Sequence, residues 1–333
     1  MGNLYPLRML PGFDPRPWGA HDLSPIYPNR KFEEKIGEAW LTGDECKVAN
    51  GPLSGQTLAQ VSEKYQRELV GDTAQDAGRF PLLLKFLFPH EKLSVQVHPD
   101  DEQARRVGQP WGKTECWYVA HAKAGAQVAL GLKPGVTVAQ LEEAIHGKQA
   151  EELLNWLNIY TGDMIYVSGG TVHTLGPGSV IVETQQQSDT TYRLYDYGRP
   201  RELHLAEGLA AVKVKVASGK VVRPAPVQVE GRKNRRAPLI AAPYFVVDMF
   251  EMKDAQELNT SDDPGKNSLQ ILVATEGCGI VEAAGTEAVT LAKGDAVVIP
   301  ATLGKFTVRP LWTLEFLRAQ VPGAALPEPE TRM

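Results

Sequence analysis

Two short stretches carry side chains able to do metal or acid–base chemistry, at a spacing that a β-strand turns to use. In Leu93-Ser94-Val95-Gln96-Val97-His98-Pro99 apolar and polar positions alternate strictly. Strand side chains repeat with period two, so Leu93, Val95 and Val97 share one face and Ser94, Gln96 and His98 the other. Gln96 and His98 then stand about 7 Å apart at the Cα level, two steps of ~3.3 Å. Pro99 stops the strand and Asp100-Asp101 turn the chain. In Lys113-Thr114-Glu115-Cys116-Trp117-Tyr118 the same rule places Lys113, Glu115 and Trp117 on one face and Thr114, Cys116 and Tyr118 on the other. His173 follows a turn at Ser168-Gly169-Gly170. Gln96, His98, Glu115 and His173 together offer an amide oxygen, two imidazoles and a carboxylate. That nitrogen/oxygen set suits Zn²⁺ and admits other divalent ions. Taken singly, each has a plainer reading: a satisfied core histidine, or a surface Lys113–Glu115 ion pair. His21, His90, His121, His146 and His204 have no comparable context.

These residues need strands to hold them. Phe32 to Trp40 and Phe80 to Phe88 read as strands. The second has one charge, Lys85, in an apolar run; it is either a stem snorkelling at an edge or a cation aimed into a pocket. Residues 1–30 read as irregular. Within them Arg16-Pro17-Trp18-Gly19 is a compact aromatic turn, whose Trp18 either packs in the core or belongs to an arm over a site. Helices are expected from Thr57 as N-cap to before Gly71, over Asp101 to Val107, over Thr137 to Leu157 and over Leu203 to Val214. Short strands fill 158–184. The basic, proline-containing stretch Val216 to Pro243, with Arg232-Lys233-Asn234-Arg235-Arg236, reads as a solvated domain junction. Six short strands follow: Phe245 to Met252, Ser268 to Thr275, Gly279 to Ala284, Ala288 to Leu291, Ala296 to Ile299 and Leu314 to Leu317. Pro322 to Met333 read as disordered. Gly162-Asp163 followed by four apolar residues echoes Gly294-Asp295, which implies a duplicated unit. No histidine follows the second copy, so that unit is expected to carry no metal and to serve a structural role.

The chain of 333 residues has room for two domains, placed at 1–225 and 226–333. With 43% apolar and 23% charged residues it has an ordinary globular composition. Its formal charge of −5 makes no general case for nucleic acid or membrane binding, so an anionic small molecule would need a local cluster of Lys and Arg. No apolar run approaches a membrane span, and Met1 to Pro11 lacks a signal-peptide core. Three scattered cysteines make no disulfide framework, and a reducing cytoplasm is the expected location.

Leu93 to Pro99, Gly112-Lys113-Thr114-Glu115, Gly162-Asp163 with Gly170-Thr171-Val172-His173, and Glu183 with Ser188-Asp189-Thr190-Thr191-Tyr192-Arg193 resemble the type I mannose-6-phosphate isomerases, in their short bacterial form. Gly162 to His173 also resembles the second cupin motif, with Ser168 where a proline is usual. The resemblance covers nearly the whole chain and implies a mainly β fold: two cupin (jelly-roll) barrels with a few helical additions. It implies one Zn²⁺ per chain on Gln96, His98, Glu115 and His173, and an active-site arginine at Arg193. It also places Lys85, Lys113 and Glu183 on the pocket wall. The implied reaction exchanges mannose 6-phosphate and fructose 6-phosphate by moving a proton between C1 and C2 through a cis-enediol. Glu183 is the first choice of base; the rival is Lys85 with its pKa lowered by nearby cations. Lys113 is expected to contact phosphate or hydroxyl groups. Another cupin isomerase or dioxygenase, and a non-catalytic sugar-phosphate or metal-binding protein, remain as alternatives. A monomer or weak dimer is expected.

Overall fold

The computed structural model describes residues 4–223, 225–229, 231–261 and 267–333. Of the stretch Met1 to Pro11, residues 1–3 lie outside the described residues. The structure is mainly β, with 41% strand and 14% helix. One eight-stranded sheet runs in the order Gly12–Ala20, Ile36–Trp40, Leu82–Leu87, Ser179–Gln186, Glu115–Ala122, Met164–Val167, Gly219–Val221 and Thr331–Arg332. A five-stranded sheet runs in the order Tyr192–Tyr195, Val95–Val97, His173–Leu175, Gln127–Leu132 and Leu154–Asn158. Trp117, Val119, Ile165 and Ile181 of the first pack against Val128, Leu130 and Leu175 of the second, which joins the two into one sandwich. A ten-stranded sheet forms the second barrel, filled by Phe250, Leu272, Val281, Leu291, Phe306 and Phe316.

Local signals hold where the chemistry is local. Thr57 caps the Leu58–Tyr65 helix through a capping box with Gln60, and Asp100 caps Asp101–Arg106 with Gln103 in the same way. The echo at Gly162 and Gly294 is a real repeat. Both glycines are left-handed, with φ of +90° and +87°. Asp163 Oδ2 accepts from the Tyr160 amide at 2.9 Å and Asp295 Oδ2 from the Ala292 amide at 3.2 Å. Each turn leads into a four-residue buried strand, Met164–Val167 and Ala296–Ile299.

Several expectations are corrected. The helix expected to reach Leu157 stops at His146, because Gly147 caps it and Lys148 takes a left-handed φ of +59°. Ala150–Leu153 is a 3₁₀ turn, and Leu154–Asn158 is a strand whose Leu157 pairs with Val128. The strands expected at 268–275 and 279–284 merge into Gln270–Ala283, and Leu314–Leu317 is part of Lys305–Gln320. Residues 1–30 contain the strands Leu7–Leu10 and Gly12–Ala20. Arg235 and Arg236, read as loop, begin the strand Arg235–Ala241 with their side chains outward. The final residues are not disordered: Thr331 and Arg332 pair with Val221 and Lys220.

Strand pairing crosses the expected division near residue 225 at both chain ends. Leu7 and Arg8 pair with Val298 and Val297 of the second barrel, while Thr331–Arg332 edges the first. The ten-stranded and the eight-stranded sheets thus each gain a strand from the opposite end of the chain, which pairs backbone donors and acceptors beside Ala296–Ile299 and Gly219–Val221.

Candidate metal centre and its pocket

Cross-strand register lines the functional side chains up in two facing rows. On the five-stranded sheet, Gln96 is paired with His173 on one side and Arg193 on the other. On the eight-stranded sheet, Glu183 is paired with Lys85 on one side and Trp117 on the other. The rows meet where the Trp117 ring packs edge-on to the His173 ring, with centroids 5.5 Å apart. Glu115 sits two residues before Trp117, on the same face, as strand periodicity requires.

At the meeting point His98 Nε2 lies 3.5 Å from Glu115 Oε2, and His173 Nε2 lies 3.5 Å from Glu115 Oε1. One donor atom from each of the three converges within 4.8 Å, and all three residues are buried. The far nitrogen of each ring is already committed. His98 Nδ1–H donates to the Thr190 carbonyl at 2.9 Å and His173 Nδ1–H to the Thr171 carbonyl at 2.9 Å. That fixes the tautomer and turns both Nε2 lone pairs inward. Burial pushes the His173 pKa down to about 4 and the His98 pKa well below the usual imidazole value, so both rings are neutral. Burial, reinforced by the Glu183 carboxylate, raises Glu115. Both Glu115 oxygens and His98 Nε2 are buried without a hydrogen-bond partner. Neutral imidazole lone pairs aimed at an unsatisfied buried carboxylate are costly alone and fit a divalent cation well. Gln96 faces the same point: its Nε2 lies 3.2 Å from His173 Nε2 and its Oε1 accepts from Ser94 Oγ at 3.2 Å. A half-turn of that amide would present oxygen to the cluster and leave Ser94 as the acceptor.

Beyond the cluster a cavity of about 430 Å³ opens, lined by Gln96, Lys113, Lys85, Glu183, Arg193, by Arg16 and Asp189 of segments singled out in the sequence, and, unforeseen from the sequence, by Glu38 and Arg201. Trp18 is buried in the core, and with Arg16 and Pro17 it also walls this cavity, so both readings of that segment hold. It is not a separate turn but a bulge in Gly12–Ala20, since Pro15 and Ala20 both pair with Ile36. Lys113 and Glu115 do point the same way, but into the protein: both are buried, with Nζ and Oε2 3.9 Å apart. Gly112 threads Lys113 into place. A Cβ on Gly112 would lie 2.5 Å from the Asp100 carbonyl carbon. Gly112→Ala is expected to cost about 1–3 kcal/mol and to raise KM, read by thermal unfolding and steady-state kinetics.

Lys85 is fully interior, in a central strand, so it does not snorkel at an edge. Its Nζ lies 3.2 Å from Glu183 Oε1 and 3.5 Å from Glu38 Oε2. Burial alone would lower its pKa, but Glu183 and Glu38 outweigh burial and raise it. The expectation that nearby cations lower the Lys85 pKa is not met: the groups beside its ammonium are two carboxylates, which favour the charged form. Glu183 Oε2 accepts from Trp117 Nε1 at 3.0 Å. Arg193 Nη1 donates to the Glu202 carbonyl at 2.8 Å, while its Nε is buried without a partner. Burial, with Arg201 nearby, lowers the Arg193 pKa. Glu38 had a signal in the sequence: it is the one charge between Ile36 and Trp40 on a period-two face. Nothing local marks Arg201, which is placed by its paired contacts to Asp196 at 2.7 and 2.8 Å.

The double-sheet fold and the buried His/Glu/His cluster define a cupin that holds a metal cofactor. Comparison with known proteins agrees. Residues 18–113 match the family model for the type I phosphomannose isomerase catalytic domain. The chain is 34% identical to the mannose-6-phosphate isomerase ManA of Bacillus subtilis, over 90% of this chain and 95% of that protein. It is 31% identical to the mannose-6-phosphate isomerase of Streptococcus mutans, over 86% of this chain and 89% of that protein. The crystal structure of the Bacillus subtilis mannose 6-phosphate isomerase superposes with a TM-score of 0.83 at 31% identity, covering 94% of this chain and 99% of that one. The chain belongs to the type I mannose-6-phosphate isomerase family and is an isomerase of carbohydrate metabolism. No helix among the described residues is long and apolar enough to cross a membrane.

Proposed function

We propose that the chain interconverts mannose 6-phosphate and fructose 6-phosphate, using one Zn²⁺ held by His98, Glu115, His173 and the amide oxygen of Gln96. The observation that carries this reading is the convergence of two tautomer-fixed imidazoles on a buried carboxylate with no hydrogen-bond partner, at the head of a charged cavity. When bound, the cation supplies electrophilic polarisation of the substrate oxygens. Glu183 takes the proton from C2 and returns it to C1, while the substrate passes through its cis-enediol and a proton moves from O2 to O1. Arg193 is a permanent cation that steadies the negative charge developing on those oxygens. The Lys113 ammonium binds phosphate or hydroxyl oxygens. Lys85 donates hydrogen bonds rather than accepting the proton, because two carboxylates hold it charged.

The 1–225 unit carries this chemistry in our reading, and 226–333 is a degenerate barrel with a structural role. The substrate is a small sugar phosphate and the chain acts as a monomer or weak dimer in the cytoplasm. The location is supported by the free thiols of Cys46, Cys116 and Cys278.

A coupled assay of mannose 6-phosphate conversion, run before and after chelation and again with zinc restored, tests the reading. Activity is expected to disappear on chelation and return with zinc. Absence of turnover with any divalent metal, despite one tightly bound ion per chain, overturns it in favour of a binding protein or another sugar phosphate.

A further inference from the structure

We infer that Glu38 is a positioning residue: it holds the Lys85 ammonium away from full engagement with Glu183, and so keeps a Glu183 oxygen free of a hydrogen bond. The inference rests on the reading of this cavity as the isomerase site.

Glu38 lies on Ile36–Trp40, between the strands that carry Arg16 and Lys85. Its side chain is buried, and both oxygens are occupied. Oε2 accepts from Trp40 Nε1 at 2.8 Å and from Arg16 Nη2 at 3.3 Å; Oε1 accepts from Arg16 Nε at 3.3 Å. Arg16 is also tied to Asp14 at 2.7 Å. Glu38 is therefore clamped by Trp40 and by Arg16, which shares the cavity wall with it. Lys85 and Arg16 outweigh the effect of burial and hold its pKa down to about 2, so it is a fixed anion.

Lys85 is cross-strand from both Trp40 and Glu183, and its ammonium lies over the Trp40 ring at 5.3 Å. Among the described residues Lys85 approaches Glu183 and Glu38 as ion pairs, at 3.2 and 3.5 Å, without an aligned hydrogen bond to either. Glu183 Oε1 is correspondingly buried without a hydrogen-bond partner, although Lys85 is beside it. The series Arg16, Glu38, Lys85, Glu183 alternates in sign. Neutralising Glu38 leaves Lys85 with one carboxylate instead of two. A buried ammonium then moves to its remaining partner, since an unpaired buried charge costs more than a bent side chain. The move fills the free acceptor position on Glu183 Oε1, on the carboxylate proposed to take the substrate proton. The hydrogen-bond and ion-pair partners of Glu38 are Trp40, Arg16 and Lys85, none of them in the metal cluster, so bound metal is expected to stay near one equivalent.

Glu38→Gln tests this, because it keeps the size of the side chain and an acceptor for Trp40. In holoenzyme with one equivalent of metal, kcat is expected to fall about 10²-fold, with KM changed less than about threefold. Glu38→Asp, which keeps the charge, should lie between wild type and Glu38→Gln. In a Lys85→Met background the Glu38→Gln penalty should largely vanish, because Glu38 acts through Lys85. A crystal structure of Glu38→Gln should show the Lys85 ammonium moved onto Glu183 in an aligned hydrogen bond. Unchanged kcat, or Glu38 and Lys85 effects that multiply independently, overturns the inference. So does an unmoved Lys85 in the Glu38→Gln crystal. If Glu38→Gln does not fold, Glu38→Asp carries the kinetic test, and an unaltered kcat in it overturns the proposal. Failure of the isomerase reading is separate: the wild type would then not turn over mannose 6-phosphate, while the position of Lys85 in the variant crystal still decides the role of Glu38.

Discussion

Replacing His173 by alanine should remove turnover, by roughly 10³-fold or more, and take the metal with it. His173 supplies one of three buried donor atoms within 4.8 Å, and its ring is held on three sides. Nδ1–H is tied to the Thr171 carbonyl, the face packs on His98 with centroids 4.8 Å apart, and the Trp117 ring is edge-on. No other imidazole of this cluster can take its place, because His98 is locked by Thr190. Metal content by elemental analysis and thermal unfolding with and without zinc separate the causes. In wild type, zinc should raise Tm, because an ion bound only by the folded state stabilises it by mass action and satisfies the Glu115 oxygens. In His173→Ala that rise should be absent. A variant that keeps one tight equivalent of metal and near-normal turnover would remove His173 from the ligand set.

The second large effect is expected at Arg193, and it should leave the metal in place. Arg193 is paired across the strands with Gln96, on the side opposite His173, so its guanidinium faces the cavity rather than the cluster. One Nη is spent on the Glu202 carbonyl, which fixes the fork; the buried Nε has no protein partner. A preorganised, desolvated cation aimed where charge develops is worth several kcal/mol at the transition state and little in the ground state. Arg193→Ala should therefore lower kcat by about 10²–10³-fold with bound metal near one equivalent. Arg193→Lys should recover little, since a point charge on a flexible stem lacks the planar fork that Glu202 holds. Loss of the metal along with activity would make Arg193 a structural residue and break the assignment.

Much of this site was legible in the sequence for one physical reason: strand side chains alternate whatever the rest of the fold does. That alone put Gln96 with His98, and Lys113 with Glu115 and Trp117. Helix capping is equally local, so Thr57 marked the start of its helix correctly. The repeat at Gly162 and Gly294 was visible because a left-handed glycine followed by an aspartate that bonds back three residues is a self-contained turn.

Neighbourhood across strands is a different matter. Whether Lys85 snorkels or is caged between Glu183 and Glu38 depends on which strands lie on either side of Leu82–Leu87, and no residue near Lys85 encodes that. Glu38 and Arg16 reach the cavity only because their strands were drawn beside it, and Arg201 because the loop after Tyr192–Tyr195 returns to Asp196. Leu154 and Leu157 fit a helical period as well as a strand; Gly147 and the open edge beside Gln127–Leu132 decided between them. The ends of the chain show the same division. The sequence alone determined the alternation of the site strands, the helix cap at Thr57 and the turn repeat at Gly162 and Gly294. The tertiary structure decided that Leu7–Leu10 belongs to the second barrel and Thr331–Arg332 to the first, because an unpaired sheet edge is satisfied by whatever backbone the folded chain brings to it, however far away in sequence.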